Sequence, residues 1–343
     1  MRANASARIG LGHLRRCAAL GRRLGAAGVD VHFLTKTEDL DPAAEVGGFA
    51  GACVALAPDL QGVADAARTA EYCRSVGADR LVVDHYQADE AYQRILLDAG
   101  IRWLQFDGAA SMPLWADWIV SMSPAADDTH YRRLRQRPET RFLLGPRYAI
   151  LRDEFMQWRA SRPVRRQATR LLLTFGGGDD RGACLACLSA LAQTGAFEIT
   201  IMSSSVNPQI PSIREWLDRN TDTRAQLLLD DPDVARRMAE ADIAITAGGT
   251  TTFEMAMLGL PALVLQIANN QRGNAQAWER AGVAFDLGPL EQFDANRLRD
   301  RLVELAADPG LRERMAMLGR QCVDGRGAER IAGELYPDVE MPS

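Results

Sequence analysis

Short apolar runs alternate with longer amphipathic stretches along almost the whole chain, the rhythm of a parallel α/β sheet. In the first half Val29–Leu34, Arg80–Val83, Ile101–Phe106 and Trp118–Val120 read as strands, with Leu14–Leu24 and Ala88–Asp98 as helices. The segment Phe142–Phe155 breaks the rhythm with Gly145-Pro146 and is followed by a polar cluster around Pro163. The second half restarts with Leu171–Phe175, Glu198–Met202, Ala225–Leu229, Ile243–Thr246 and Ala262–Leu265. At 343 residues two domains of ordinary size are expected. Their bounds read as residues 1–150, a linker over 151–168, and 169–335. Each is a doubly wound, Rossmann-like sheet, and ligands bind such sheets at the carboxyl ends of the strands, so the cleft between the domains is the expected site.

Composition removes several alternatives. Hydrophobic content of 47% and charged content of 25% fit a soluble globular protein, and a net charge of -5 gives no reason to expect nucleic acid or an anionic membrane as partner. Lys36 is the only lysine, which argues against Schiff-base chemistry and against a P-loop. No run approaches the ~18 apolar residues of a membrane span, and no leader precedes the fold; a cytoplasmic monomer is expected. Six scattered cysteines are no disulfide framework, and the CxxC of Cys184 and Cys187 reads as helix packing. The four histidines lack metal-site spacing, so no metal or cofactor is expected. Few residues precede the turn at Gly10, so Met1 reads as an internal start with part of the first strand missing.

Four strand-end loops can carry chemistry. In Ile9-Gly10-Leu11-Gly12-His13-Leu14-Arg15-Arg16-Cys17, glycines allow a tight turn and His13 starts a helix, where the positive helix end favours the neutral imidazole of a general base. In Val82-Val83-Asp84-His85-Tyr86, three polar side chains follow a buried strand: Asp84 can orient a histidine or cap the next helix, His85 can be a second acid or base, and Tyr86 can face a ligand. In Phe175-Gly176-Gly177-Gly178-Asp179-Asp180 the glycines offer backbone amides to an anion while the aspartates cap the next helix. The run Thr246-Ala247-Gly248-Gly249-Thr250-Thr251-Thr252-Phe253-Glu254 joins a buried strand to a helix start, where unpaired N–H groups and the helix dipole bind phosphate. Glu254 is placed to accept from ribose hydroxyls, and Asn269-Asn270-Gln271 offers amides to a hydroxyl-rich ligand.

Taken in order with Leu144-Gly145-Pro146-Arg147-Tyr148-Ala149-Ile150-Leu151-Arg152, these motifs resemble the UDP-2,4-diacetamido-2,4,6-trideoxy-β-L-altropyranose hydrolases of pseudaminic acid biosynthesis, which serves flagellin glycosylation. Those enzymes are relatives of the lipid I N-acetylglucosaminyltransferase. The resemblance implies a GT-B fold and metal-independent, inverting release of a free sugar and UDP. It makes His13 the base that activates water, helped by Tyr86, with Gly12, Arg16, Asp84, Asn270 and Gln271 on the sugar. It puts Gly176, Gly177, Gly249, Thr250, Thr251, Thr252 and Glu254 on the nucleotide. A tail from Leu311 that crosses back onto the first domain is also implied. The chain departs from the pattern at Asn4, at Phe106–Ser123 and at Asn269, all on the sugar side. A glycosyltransferase with the same donor site, His13 acting on an acceptor hydroxyl, is the alternative.

Overall fold

The computed structural model describes residues 1–4, 12–36, 51–108, 110–159, 164–192 and 197–340. It divides into two units, Met1–Leu151 with Gly325–Ser343, and Arg152–Asp324. The expected residues Ile9, Gly10 and Leu11, and part of the expected linker, 160–163, lie outside the described residues.

The first unit is built on β1 (Arg2–Asn4), β2 (Phe33–Lys36), β3 (Cys53–Ala55), β4 (Leu81–Asp84), β5 (Trp103–Phe106), β6 (Trp118–Ser121) and β7 (Arg141–Leu144). They pair in the order β3-β2-β1-β4-β5-β6-β7, every pair parallel. The second unit holds β8 (Arg170–Thr174), β9 (Glu198–Ser203), β10 (Ala225–Leu229), β11 (Ile243–Ala247), β12 (Ala262–Gln266) and β13 (Ala284–Pro289). Their order is β10-β9-β8-β11-β12-β13, again all parallel. Each sheet reverses its winding once, between β1 and β4 in the first and between β8 and β11 in the second. At such a point successive crossovers leave on opposite faces, and a crevice opens at the carboxyl strand ends.

Three strands have no counterpart in the sequence reading. β7 overlaps the start of the segment Phe142–Phe155 that reads as a break in the rhythm, and its edge position leaves Arg141 exposed. β3 has three residues, none of them buried. β13 carries Asp286, Gly288 and Pro289 and meets β12 across a register shift. The strand expected at Val29–Leu34 starts later, at Phe33, because Val29 donates its N–H to Leu24 and closes the preceding helix instead. Near the carboxyl terminus the helix Pro309–Cys322 stays in the second unit. The helix Gly327–Leu335 packs Ile331, Ala332 and Leu335 against Leu14, Cys17 and Ala18 in the first. Gly327 lets the start of this helix lie against the Tyr148–Ala149 backbone, since a Cβ there would stand 2.2 Å from the Ala149 carbonyl oxygen.

Beneath the first sheet's switch point lies a buried polar network. Arg2 donates to both Asp65 oxygens at 2.9 and 2.6 Å, and Lys36 stands 3.0 Å from the same carboxylate. Lys36 also donates to the Leu60 carbonyl and to Gln87 Oε1. Burial alone would raise the Asp65 pKa, but the hydrogen bonds and charge of Arg2, and then of Lys36, hold it at about 2. His85 lies beside this network, edge-on to Tyr92 at 5.0 Å, with its Nδ1 accepting from the Gln87 N–H at 3.2 Å. Burial, reinforced by the charge of Arg2, depresses its pKa to about 3.

A neutral His85 has a consequence for stability. The unfolded imidazole takes a proton near pH 6.5 and the folded one does so only near 3. Between those values the unfolded state binds more protons, so stability is full above pH 6.5 and falls as pH drops toward 3. Asp65 adds loss in the same direction below its ordinary value of 3.8. We expect urea midpoints to fall steadily between about pH 6.5 and 4, and His85→Gln to flatten that slope while leaving the steeper loss at lower pH. Equal slopes in the two proteins would remove His85 from the account.

Candidate active site

At the first unit's switch point the end of β4 meets the start of the helix Gly12–Ala26. Asp84, the last residue of β4, is 1% exposed, and its carboxylate receives two groups from that helix. His13 Nδ1 lies 2.7 Å from Oδ1, and Arg16 donates through Nε and Nη2 at 2.8 and 2.6 Å. Burial opposes the charge on Asp84, but the Arg16 charge and the hydrogen bonds from His13 and Arg16 outweigh it and hold the pKa at about 2. The permanent carboxylate selects the imidazole tautomer: Nδ1 donates to it, which in the neutral ring puts the lone pair on Nε2. Arg16 is kept in place by the Phe106 ring, 4.5 Å below its guanidinium.

Tyr86 stands beside this group, 77% exposed, with its ring perpendicular to that of His13 at 4.6 Å. The geometry joins His13, Arg16, Asp84 and Tyr86, while His85, one residue from Asp84, turns inward to the buried network. Asp84 therefore orients His13, one of the roles its position allowed, and with both oxygens committed it presents none outward. Gly12, the first residue of the helix, is exposed and has open space around its α-carbon.

In the second unit β8 and β11 each end in a glycine turn. After β8, Gly176 takes φ +93 and Gly177 comes within Cβ contact of Ser204. Asp179 and Asp180 accept the N–H groups of Arg181 and Gly182 at 2.8 Å each, just ahead of the helix Ala183–Leu191, and Asp180 also binds Asn207. After β11 the chain enters the helix Thr251–Leu258 through Gly248-Gly249-Thr250. The N–H groups of Gly249, Thr250 and Thr251 have no partner among the described residues. With the helix dipole behind them they are donors of the kind that can bind an anion. Thr250 is exposed and Thr251 half-buried, whereas the Thr252 hydroxyl is turned in toward the Gly249 carbonyl oxygen at 2.7 Å.

Gln271 is tied to the same turn. Its Oε1 accepts from Gly248 N–H at 3.1 Å and Ile267 N–H at 3.0 Å, so only its Nε2 is left to donate outward. This approach requires glycine, because a Cβ at 248 would meet the Gln271 Cβ at 2.9 Å. Asn270 is exposed beside it. Glu254 forms an ion pair with Arg152 at 3.2 Å, and Arg152 also pairs with Glu154 at 2.7 Å. Sequence reasoning named Arg152 within a motif without placing it on Glu254. It did not find Trp278, whose Nε1 donates to Thr252 Oγ1. Among the described residues no cluster of His, Cys, Asp and Glu could hold a metal ion, and no helix is long and apolar enough to cross a membrane.

Two all-parallel units of this strand order define a GT-B fold. The crystal structure of Acinetobacter baumannii MurG superposes with a TM-score of 0.71 and 17% identity, covering 98% of each chain. In sequence the chain is similar to the Bacillus subtilis spore coat polysaccharide biosynthesis protein SpsG, 27% identical over 229 residues, or 65% of this chain and 67% of that one. It is also 25% identical over 197 residues to the Campylobacter jejuni UDP-2,4-diacetamido-2,4,6-trideoxy-beta-L-altropyranose hydrolase, covering 57% of this chain and 69% of the relative. No protein-family model matches.

The helix Thr251–Leu258 is located from behind by Gly319. A Cβ there would stand 2.7 Å from the Ala256 carbonyl oxygen, so the helix Pro309–Cys322 approaches at a distance only glycine permits. Gly319→Ala is expected to cost about 1 to 2 kcal/mol in urea unfolding, overpacking outweighing the ~1 kcal/mol that alanine gains in a helix. A variant as stable as the wild type would mean the two helices separate without penalty.

Proposed function

We propose that the protein is a UDP-sugar hydrolase that breaks the bond between the anomeric carbon of a 2,4-diacetamido-2,4,6-trideoxy hexose and the diphosphate, with inversion. The observation that carries this reading is His13 held by a buried, permanently ionised Asp84 at a sheet switch point. The similarity to the Campylobacter hydrolase supports the choice of sugar and of water as acceptor. The name of the Bacillus relative supports a place in polysaccharide biosynthesis.

In this reading the His13 Nε2 lone pair takes a proton from water as the water oxygen bonds to the anomeric carbon. The carbon–oxygen bond to the diphosphate breaks, and its electron pair leaves with UDP. The new charge meets the N–H groups of Gly249, Thr250 and Thr251, the hydroxyls of Thr250 and Thr251, and the turn at Gly176 and Gly177. Thr252 shapes that turn from within. Glu254 accepts from the ribose hydroxyls, while Gln271 Nε2, Asn270 and Gly12 face the sugar. Tyr86 positions sugar or water, and Arg16 acts by holding Asp84. A good leaving group, a base and a placed water suffice, so no metal step is invoked.

Transfer to an acceptor hydroxyl is the second reading, favoured by the exposed Tyr86 ring beside the base, a surface on which an acceptor can lie. One experiment separates the two. Purified protein incubated with UDP-sugars is expected to release free sugar and UDP with no acceptor added. His13→Ala should reduce the rate to background, and Asp84→Asn should lower kcat by about 10²–10⁴-fold with UDP affinity kept. UDP release that depends on an added hydroxyl compound would establish transfer instead. Wild-type rates from His13→Ala would overturn the assignment of the base.

A further inference from the structure

The glycine turn after β11 is gripped from inside by Thr252 and, behind it, Trp278. Thr252 is buried, and its hydroxyl donates to the Gly249 carbonyl oxygen at 2.7 Å while its N–H reaches the same oxygen at 3.2 Å. The hydroxyl oxygen in turn accepts from Trp278 Nε1 at 3.0 Å. Trp278 is fully buried in the helix Arg272–Arg280 and packs edge-to-face on Phe253, ring centroids 5.3 Å apart. The indole therefore fixes the rotation of the Thr252 hydroxyl: its oxygen receives from the indole and its proton points to Gly249.

Peptide planarity carries this grip to the outer face of the turn. In a trans peptide the C=O of one residue and the N–H of the next point in opposite directions. Holding the Gly249 carbonyl inward thus turns the Thr250 N–H outward, and that N–H has no partner among the described residues. Two peptides toward the amino end, at the 247–248 bond, Gln271 accepts from the Gly248 N–H at 3.1 Å and holds that group inward. Two peptide planes, one on each side of the 248–249 peptide, are thereby fixed, and the Thr250 N–H faces out as a donor.

We infer that Thr252 and Trp278 are a positioning pair that aims the Thr250 amide at the diphosphate. The inference rests on the proposed function, in which this turn holds the diphosphate. Neither side chain touches the ligand; they set the direction of a backbone donor and hold it before the ligand arrives. Preorganised amides of this kind lose nothing to reorientation when charge develops on them.

The test compares UDP with uridine, because the pair acts on the phosphates and not on the nucleoside. Both are titrated calorimetrically into the full-length wild type, Thr252→Val, Thr252→Ser and Trp278→Phe. Thr252→Val, close in shape but without the hydroxyl, should weaken UDP about five- to ten-fold and leave uridine unchanged. Thr252→Ser restores the hydroxyl and should recover most of the loss. Trp278→Phe should lie between, about two- to three-fold weaker for UDP, and serves as the second probe if Thr252→Val does not fold. Equal UDP affinity in the wild type, Thr252→Val and Trp278→Phe would overturn the inference. So would an equal loss for UDP and uridine, which would mark a purely structural role. A wild type that binds UDP no better than uridine would instead sink the diphosphate reading itself.

Discussion

Every strand in both sheets runs parallel to its neighbours, so every crossover returns over a face and each sheet presents all its carboxyl strand ends on one side. Both faces are then covered and apolar, as the two core clusters flanking the first sheet show. Polar chemistry is driven to the strand ends, and only at a change of winding direction does a gap open there. His13 and Asp84 lie at that gap in the first unit, and the two glycine turns lie at it in the second. The placement comes from topology before any particular side chain is considered.

The two gaps are equipped differently. In the first unit the polar groups are side chains, and most of their charge is internally balanced: Asp84 by Arg16, and Asp65 by Arg2 and Lys36. A buried carboxylate is costly unless opposed by charge and hydrogen bonds, and the depressed pKa values of Asp84 and Asp65 show that opposition. In the proposed function the remaining reactive atom is His13 Nε2, which stands out because its neighbours are satisfied. In the second unit backbone N–H groups at the turn have no partner among the described residues, while Thr252 and Trp278, and Gln271 through its Oε1, hold the turn from the inside.

Legibility in the sequence divides along the same line. Local patterns were legible: the run into β11, the glycine turns, and the helix opening at His13 are each contained in a few consecutive residues. β7 was hidden because an edge strand keeps only part of its surface buried, and Gly145-Pro146 directly after it reads as a break. β13 was hidden because Gly288 and Pro289 sit where a strand would normally be excluded, a position open only at a sheet edge. Pairings across long separations were not legible. His13 and Asp84 were both conspicuous, but their bond spans 71 residues, and that of Arg152 with Glu254 spans 102. Trp278 gave no signal, since a tryptophan in an amphipathic helix is most simply a core residue, and it is one; only its indole N–H has a further use.

In the proposed function a side-chain base and a backbone anion site also differ in how each can vary. Replacing His13 removes one atom's basicity and leaves the fold around it, so the chemistry of the first unit is separable from its structure. An amide donor cannot be removed by substitution except with proline. Its direction can be altered only through the residues that hold the peptide plane. In the proposed function, control over the leaving group therefore resides in residues that look structural and are buried. That is why the fully buried Trp278 belongs in the same physical account as the exposed turn it supports.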